Sequence, residues 1–288
     1  MGKVRNHNAS GKREEQVRRM FHSLHRVWGP QHWWPAETAF EMIVGAYLTQ
    51  NTAWTNVELA LARLRAANAL SMDGIRRTPI SQLEELVRPA GYFRQKAARL
   101  KQFVEYLDAK YGAQLPPDVG GSGSVQRDER ALAAMLSRPT DELRTELLHR
   151  NGVGPETADS ILLYAGLRPV FVVDAYTKRI FSRHKFVPED AKYEDIRALV
   201  ESALGNERYI AHDNDRVGKA DEANFRPPVH EPSALSQLPR SETTQVFGEF
   251  HGLLVQVGKH FCLKQQPRCE ECPLRDSLPK PIKHVGKA

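Results

Sequence analysis

The sequence lacks the features that mark membrane and secreted proteins. Only three of its 288 residues are cysteine, and all three lie in one short segment near the C-terminal end. An odd, clustered set argues against a disulfide framework and fits a reducing compartment. No apolar run is long enough to span a bilayer, and the segment Met1-Gly2-Lys3-Val4-Arg5 lacks the apolar core of a signal peptide. These absences favour a soluble, cytoplasmic protein without a membrane partner.

Strand signals are scarce as well, because the short apolar run at 170–173 ends at once in a polar residue. Helical spacing dominates instead, as in the apolar residues Phe40, Ile43, Val44 and Tyr47. Further helical stretches are expected near residues 14–27, 57–64, 81–87, 95–111, 131–136, 141–149, 156–164, 175–183, 193–204 and 242–258. The sequence therefore predicts an all-α fold.

Lysine and arginine outnumber aspartate and glutamate, 41 against 35, which leaves a formal net charge of +6. Basic residues cluster at 12–13, 18–19, 94–101 and 280–287. Such a surplus suits a polyanionic partner, although many charge runs are only solvated helix faces. Charge gives modest support to nucleic-acid binding and does not establish it.

The most informative segment is a short turn between two helical stretches, Gly152-Val153-Gly154-Pro155. Glycine permits a tight turn that a residue with a Cβ atom resists, and proline suits the first position of the next helix. The N–H groups at a helix start attract anionic oxygens such as those of phosphate. The pattern predicts a helix-hairpin-helix. By itself it also fits a corner in a helical bundle, which is the commoner case.

The hairpin together with Asp174, which follows it, resembles the endonuclease III (HhH-GPD) superfamily of DNA glycosylases, over about residues 34–272. The resemblance implies a two-lobed helix-hairpin-helix glycosylase fold with the active-site cleft between the lobes. It also implies that a monomer acts on double-stranded DNA in base excision repair, associated with the nucleoid if the source is bacterial. The hairpin residues expected to contact DNA are Gly152, Val153, Gly154, Glu156 and Thr157.

The same resemblance divides the chain into three regions. Residues 1–30 are expected to form a basic arm and a helix that packs with the C-terminal lobe. Residues 31–168 form a central helical bundle with the hairpin, and 169–288 form the C-terminal lobe. Two polar, turn-rich stretches, 116–124 and about 205–240, are expected to lie outside the core.

Two carboxylates decide which reaction the sequence predicts. Members of the superfamily that nick DNA have a hairpin lysine that forms a Schiff base with the sugar, whereas this chain has Glu156 at that position. A carboxylate cannot form an imine, so a lyase reaction through this position is excluded. Asp174 matches the family's catalytic aspartate, which stabilises the oxocarbenium-like state or activates water. Asp174 is also suited to cap the helix that starts at Ala175, and both roles can hold at once.

Tryptophans near the first buried helix predict the base pocket. Trp33-Trp34-Pro35 precedes that helix, and Trp54 follows its C-terminal segment Leu48-Thr49-Gln50-Asn51-Thr52. Trp34 and Trp54 are expected to form two walls around an extruded base, although core packing is an equally ordinary role for each. These segments, with Glu156, resemble the endonuclease III-like 3-methyladenine glycosylases, which remove alkylated purines. A cationic purine gains cation–π attraction on indole and is already a good leaving group.

Two further residues match the side chains that related enzymes insert into the DNA. Gln50 stands where a polar side chain enters the gap left by the extruded base, and Tyr92 where a second wedge meets the opposite strand. Insertion compensates part of the lost base stacking. The ordinary alternatives are a polar residue at a helix end and an aromatic residue in a loop.

The cysteines form one candidate metal loop, Cys262, Cys269 and Cys272. Their spacing equals that of the first three ligands of the family's [4Fe–4S] loop, but Leu278 stands at the fourth position. In order of preference, the loop has lost its cluster, holds one with a fourth ligand such as Asp276 or His284, or binds zinc with His260. Base removal itself needs no metal.

The sequence thus predicts a monofunctional DNA N-glycosylase that flips a damaged base, an alkylated purine by preference, and hydrolyses its N-glycosidic bond. Two alternatives remain open. One is a glycosylase of the same fold for adenine, uracil or a deaminated base, because the shape of the pocket decides the lesion. The other is a non-catalytic helix-hairpin-helix DNA-binding protein.

Overall fold

The structure, a computed structural model, describes residues 3–114, 123–209, 227 and 229–278. Its helices are α1 (Lys3–Trp28), α2 (Ala39–Thr49), α3 (Trp54–Ala66), α4 (Met72–Arg77), α5 (Ile80–Val87), α6 (Phe93–Leu107), α7 (Gly123–Leu136), α8 (Thr140–Leu148), α9 (Pro155–Ser160), α10 (Ala175–Arg183), α11 (Tyr193–Leu204) and α12 (Glu242–His260). The described residues contain no β-strand, which confirms the predicted all-α class. None of their helices is both long and apolar enough to cross a membrane.

The chain divides into two compact units. The central unit comprises residues 34–168 and 233–238, and the terminal unit comprises 1–33, 169–232 and 239–288. Each unit has a buried core of its own.

The core of the central unit is built around α2. The hydroxyl of Thr38 caps this helix by accepting a hydrogen bond from the Glu41 amide, a common way to satisfy a free N–H at a helix start. Every residue from Phe40 to Leu48 is buried. Such a helix, apolar on nearly all sides, has to be surrounded by others. It packs against α3, α6 and α9 together with the π-helical turn, Ile161–Ala165, that continues α9.

The core of the terminal unit is built around α12, which contacts α1, α10 and α11. Phe250 of α12 is fully buried, and its ring lies 5.8 Å from those of both Phe21 and Phe171. Such aromatic pairs add to the free energy gained by burying apolar area. This core holds α10, whose first turn follows Asp174, against the middle of α12.

The two stretches expected outside the core differ from that expectation where the structure describes them. Residues 115–122, 210–226 and 228 lie outside the described residues, so most of the first stretch and half of the second are untested. Ser233 and Leu235, however, are buried in the central unit, and the Leu235 amide donates to the Ala36 carbonyl over 3.3 Å. The prediction was wrong for this segment because one apolar residue within a polar stretch is enough to anchor a short turn. Residues 123–124 begin α7 rather than end a linker.

Candidate active site and DNA-binding elements

Asp174 is the N-cap of α10, as the sequence predicts. Its Oδ1 accepts a hydrogen bond from the Thr177 amide over 2.7 Å, which satisfies one of the free N–H groups of the helix. The side chain is 12% exposed, so the carboxylate is largely shielded but reachable. The cap fixes the direction of the carboxylate and leaves Oδ2 outside this hydrogen bond.

A buried histidine faces that second oxygen. His251 of α12 places Nε2 3.8 Å from Asp174 Oδ2, and its side chain is 5% exposed. Burial lowers the pKa of His251, while the neighbouring Asp174 charge opposes the shift. A lowered pKa keeps the imidazole neutral near pH 7, so Asp174 faces a neutral ring. The sequence pattern did not single out His251, because it lies 77 positions after Asp174 in the chain.

Trp34 and Trp54 lie together in the central unit, but they do not form two parallel walls. Their ring centroids are 5.1 Å apart and their planes meet at 87°, so the edge of one ring touches the face of the other. No flat slot for a base separates them in this arrangement. Tyr164 extends the cluster, with its ring 5.6 Å from that of Trp34. Trp54 Nε1 donates to Glu58 over 2.8 Å, which fixes the indole.

The other two predicted pocket residues, Trp33 and Pro35, belong to different units. Trp33 belongs to the terminal unit, where its ring lies 5.2 Å from that of His230 and 5.8 Å from the Lys259 ammonium. Pro35 is half-buried in the central unit. Within the central unit, the aromatic cluster therefore consists of Trp34, Trp54 and Tyr164.

The hairpin connects α8 to α9. Arg144 of α8 binds both oxygens of the fully buried Asp159 of α9, over 2.6 and 3.1 Å. This bidentate ion pair fixes the two helices to each other. Gly152 has φ +76°, a left-handed conformation that favours glycine.

The predicted DNA-contacting residues of the hairpin divide by exposure. Gly154 and Glu156 are exposed, and Gly152 is half-exposed. Val153 and Thr157 are buried, so their side chains pack inside the central unit and are not exposed to DNA. Glu156 is the second residue of α9, where its carboxylate also suits the helix dipole.

Gln50 contacts this hairpin instead of projecting freely. Its Nε2 donates to the Gly152 carbonyl over 2.7 Å and to Thr157 Oγ1 over 3.0 Å. Its Oε1 accepts from Arg99 Nη1 of α6 over 2.8 Å. Insertion of Gln50 into DNA would require the exchange of these three bonds. Arg99 was missed by the sequence interpretation because no motif links α6 to the hairpin.

Tyr92, in contrast, is presented to solvent. Its side chain is 67% exposed, and its backbone has φ +44° at the N-cap of α6. A bulky residue in the left-handed region is uncommon, and such strain persists only where the surroundings impose it. An exposed aromatic ring on a strained backbone is unusual, and the predicted insertion of Tyr92 into DNA is one explanation for it.

The three cysteines line one small cavity of about 20 Å³, together with His184 and Leu278. Arg183 Nη1 lies 3.2 Å from Cys262 Sγ, and burial raises the pKa of the Cys272 thiol to about 12. Leu278, which occupies the fourth ligand position in the sequence, lines the cavity with an aliphatic side chain.

The donors around this cavity do not make up the four thiolates of a [4Fe–4S] cluster. Asp276 and His260, predicted as substitute ligands, are not among the residues that line it, and His284 lies outside the described residues. Within the described ranges, no group of three or more His, Cys, Asp or Glu side chains is placed to hold a metal ion.

The helical fold, the hairpin and the capping aspartate after it together define a helix-hairpin-helix DNA glycosylase. The chain belongs to the HhH-GPD superfamily of base excision DNA repair proteins, whose pattern matches residues 44–205. It is an enzyme that acts on N-glycosyl bonds.

Individual proteins show the same relationship. A Methanocaldococcus jannaschii protein named "Putative DNA repair glycosylase MJ1434" is 36% identical over 262 residues, which cover 91% of this chain and 95% of that protein. Endonuclease III of Thermotoga maritima is 24% identical over 237 residues, covering 82% and 81% of the two chains.

Solved structures share the fold. The Helicobacter pylori 3-methyladenine DNA glycosylase (MagIII), bound to 1,N6-ethenoadenine, has a TM-score of 0.60 at 24% identity and covers 87% of this chain and 97% of its own. A non-covalent endonuclease III–DNA complex has a TM-score of 0.63 at 18% identity and covers 92% and 95%. At these identities the likeness supports the fold and leaves the preferred lesion open.

Proposed function

We propose that this enzyme is a monofunctional DNA N-glycosylase, which removes a damaged base and leaves the sugar-phosphate strand intact. The observation that carries the proposal is Glu156, exposed at the second residue of α9, where strand-nicking members of the superfamily have lysine. A carboxylate at this position cannot attack the sugar carbon as an amine does. Water is then the nucleophile.

Asp174 is the proposed catalytic residue. As the glycosidic bond breaks, its electron pair leaves with the base and positive charge grows on the deoxyribose. The carboxylate, held by the Thr177 amide, stabilises that charge, and water adds to the sugar carbon and releases one proton to the solvent. The product is an abasic site with a free sugar hydroxyl.

The proposed substrate class is alkylated purine. An N-alkylated purine already carries positive charge, so its departure needs no strong general acid. The neutral imidazole of His251 beside Asp174, which has no proton to spare as an acid, is compatible with such a substrate. Trp34, Trp54 and Tyr164 are only 5%, 9% and 1% exposed, so the cluster has to open before an indole face can stack on a cationic base. Because the two indoles now touch, stacking a base between them requires one ring to turn. Alternatively, the base stacks on one face of the cluster.

We propose that the partner is double-stranded DNA bound by a monomer. The exposed residues Gly154 and Glu156 of the hairpin, together with Tyr92, are the proposed contacts, and Gln50 would join them after giving up its internal bonds. Analytical ultracentrifugation with and without an abasic duplex measures the stoichiometry. Two protein chains per duplex would contradict the monomer.

The activity is tested with duplexes that carry 3-methyladenine, hypoxanthine, uracil or an adenine mispair. Free base and abasic sites are measured for the wild type and for Asp174→Asn. We expect 3-methyladenine to be released fastest, and the substitution to abolish most of the release. Release of another base would reassign the lesion, whereas duplex binding without release of any base would favour a non-catalytic binding protein.

The monofunctional mechanism is tested separately by borohydride trapping. An endonuclease III enzyme with its hairpin lysine serves as the positive control. We expect abasic sites without a covalent adduct from this protein. A trapped adduct together with strand nicking before alkali treatment would contradict the role given to Glu156.

A further inference from the structure

A lysine inside the central unit joins two segments that are proposed to touch DNA. Lys96 of α6 is 1% exposed, although lysine is rarely buried this completely. Its ammonium group donates to the carbonyls of Leu48 over 2.8 Å, Gln50 over 2.9 Å and Ala90 over 2.7 Å. All three N–H donors are therefore used on backbone oxygens.

The three carbonyls come from two separate segments of the chain. Leu48 and Gln50 lie at the C-terminal end of α2, where helix carbonyls lack intrahelical partners and attract a cation. Ala90 ends a short 3₁₀ turn directly before Gly91 and Tyr92. One ammonium group thus fixes the distance between the loop of Gln50 and the loop of Tyr92.

The Tyr92 loop is held where its conformation is strained. Gly91 and Tyr92 have φ +67° and +44°, and the Ala90 carbonyl beside them also accepts from the Thr52 hydroxyl. A left-handed tyrosine needs such external support. Both donors bind the backbone carbonyl of Ala90, and the tyrosine ring itself is exposed.

The Gln50 loop is in turn connected to the hairpin. The side chain of Gln50 donates to the Gly152 carbonyl and accepts from Arg99 of α6. The Tyr92 loop, the end of α2 and the hairpin turn are therefore linked by one continuous set of hydrogen bonds, with Lys96 and Gln50 at its two junctions.

We propose that Lys96 is a positioning residue for base extrusion, which holds the Tyr92 loop and the end of α2 at the spacing that DNA insertion requires. The inference rests on the proposed function, because it takes Tyr92 as an inserted side chain. Lys96 touches neither the reacting base nor the sugar. Its effect falls on the unstacking step and not on bond cleavage.

This role differs measurably from simple support of the fold. Loss of a support lowers the activity on every substrate alike. Loss of positioning slows release only where the enzyme has to unstack and unpair the base, since a base in a bulge is already largely free of its stack. A displacement of about 1 Å in a positioned group can cost on the order of a hundredfold in rate.

The experiment compares Lys96→Met with the wild type in single-turnover base release. The substrates are the same lesion, chosen from the panel above, in a paired duplex and in an unpaired bulge. Lys101→Met is the matched control, because Lys101 lies on the same helix and its ammonium also donates to a backbone carbonyl, that of Arg76, over 2.9 Å. Thr52→Val is the second variant, in case Lys96→Met does not fold.

We expect Lys96→Met to slow release from the paired duplex by roughly tenfold or more and release from the bulge by about twofold at most. Thr52→Val is expected to act in the same direction but less strongly, and Lys101→Met to show no difference between the substrates. Equal slowing on both substrates, or no slowing by either variant, would overturn the proposal.

A readout without bond cleavage separates this inference from the proposed function. A duplex with a tetrahydrofuran abasic analogue and a neighbouring 2-aminopurine reports disturbance of the stack by fluorescence. If the wild type raises this fluorescence but releases no base, the proposed activity fails while the role of Lys96 can still be measured. A signal unchanged in both Lys96→Met and Thr52→Val would then refute the positioning role.

Discussion

Two substitutions of Asp174 separate the two roles of this carboxylate. Asparagine keeps an oxygen that can accept the Thr177 amide but removes the negative charge. Alanine removes both. Oδ1 caps the helix, and the negative charge is proposed to stabilise the transition state. Asp174→Asn should therefore lower only the catalytic rate, whereas Asp174→Ala should lower both the rate and the free energy of unfolding.

The magnitudes follow from the contacts. Loss of an N-cap side chain costs about 1 kcal/mol of the free energy of unfolding, so Asp174→Ala should lose about that much. Asp174→Asn should stay within about 0.5 kcal/mol of the wild type. Removal of a preorganised electrostatic contact to a transition state costs about a hundredfold to a thousandfold in rate, which corresponds to roughly 3 to 4 kcal/mol.

Stability is measured by urea unfolding followed by circular dichroism, and catalysis by single-turnover release of the base. Binding to an abasic-analogue duplex serves as the control, because neither variant alters the hairpin. A wild-type rate of release in Asp174→Asn would refute the catalytic role. An asparagine variant as unstable as the alanine variant would refute the account of the cap.

The remaining predictions concern the hairpin, a buried acid and the cysteine loop. Gly152→Ala should cost about 1 to 2 kcal/mol of the free energy of unfolding and weaken binding to an abasic duplex, because its φ is +76° and a Cβ atom would lie 2.2 Å from Arg99 Nε. Gly154→Ala, whose Cβ would meet nothing within 4 Å, is the control and should stay near wild-type stability. Burial raises the pKa of Glu249 to about 7, so the folded state holds a proton that the unfolded state has released. The wild type should therefore lose a few kcal/mol relative to Glu249→Gln as the pH of urea titrations rises from about 5 to about 8, and parallel curves would contradict this. Because Leu278 supplies no thiolate, anaerobically purified protein should lack cluster absorption, and four iron atoms per chain would show that expectation to be wrong.

Local patterns were sufficient to predict the long helices and the cap. α2 and α12 show helical spacing of apolar residues over several turns, and both are buried where the spacing predicts. Asp174 caps α10 because a helix start is a local feature, readable from a few neighbouring residues. In contrast, α4 was missed, because its six residues include Gly74 and give too short a period to recognise.

Contacts between distant segments could not be predicted in this way. Gln50 and Gly152 are 102 residues apart, and the bond between them depends on how α2 and the hairpin pack. Lys96 and His251 also carry no local signal of their burial, since lysine and histidine are usually placed at the surface or in partly exposed sites. The edge-to-face contact of Trp34 and Trp54 likewise arises from packing, which the placement of two tryptophans in the sequence does not specify.

Gly152 shows why the hairpin motif alone does not establish DNA binding. The internal structure of the protein already requires glycine at this position, because the backbone φ is positive and the Arg99 side chain occupies the place of a Cβ atom. Arg99 in turn holds Gln50, so the same glycine would be needed if the turn never met a phosphate. Evidence for DNA binding therefore has to come from residues whose side chains do not pack in the interior. Glu156 and Tyr92 are both exposed, and neither side chain fills the core.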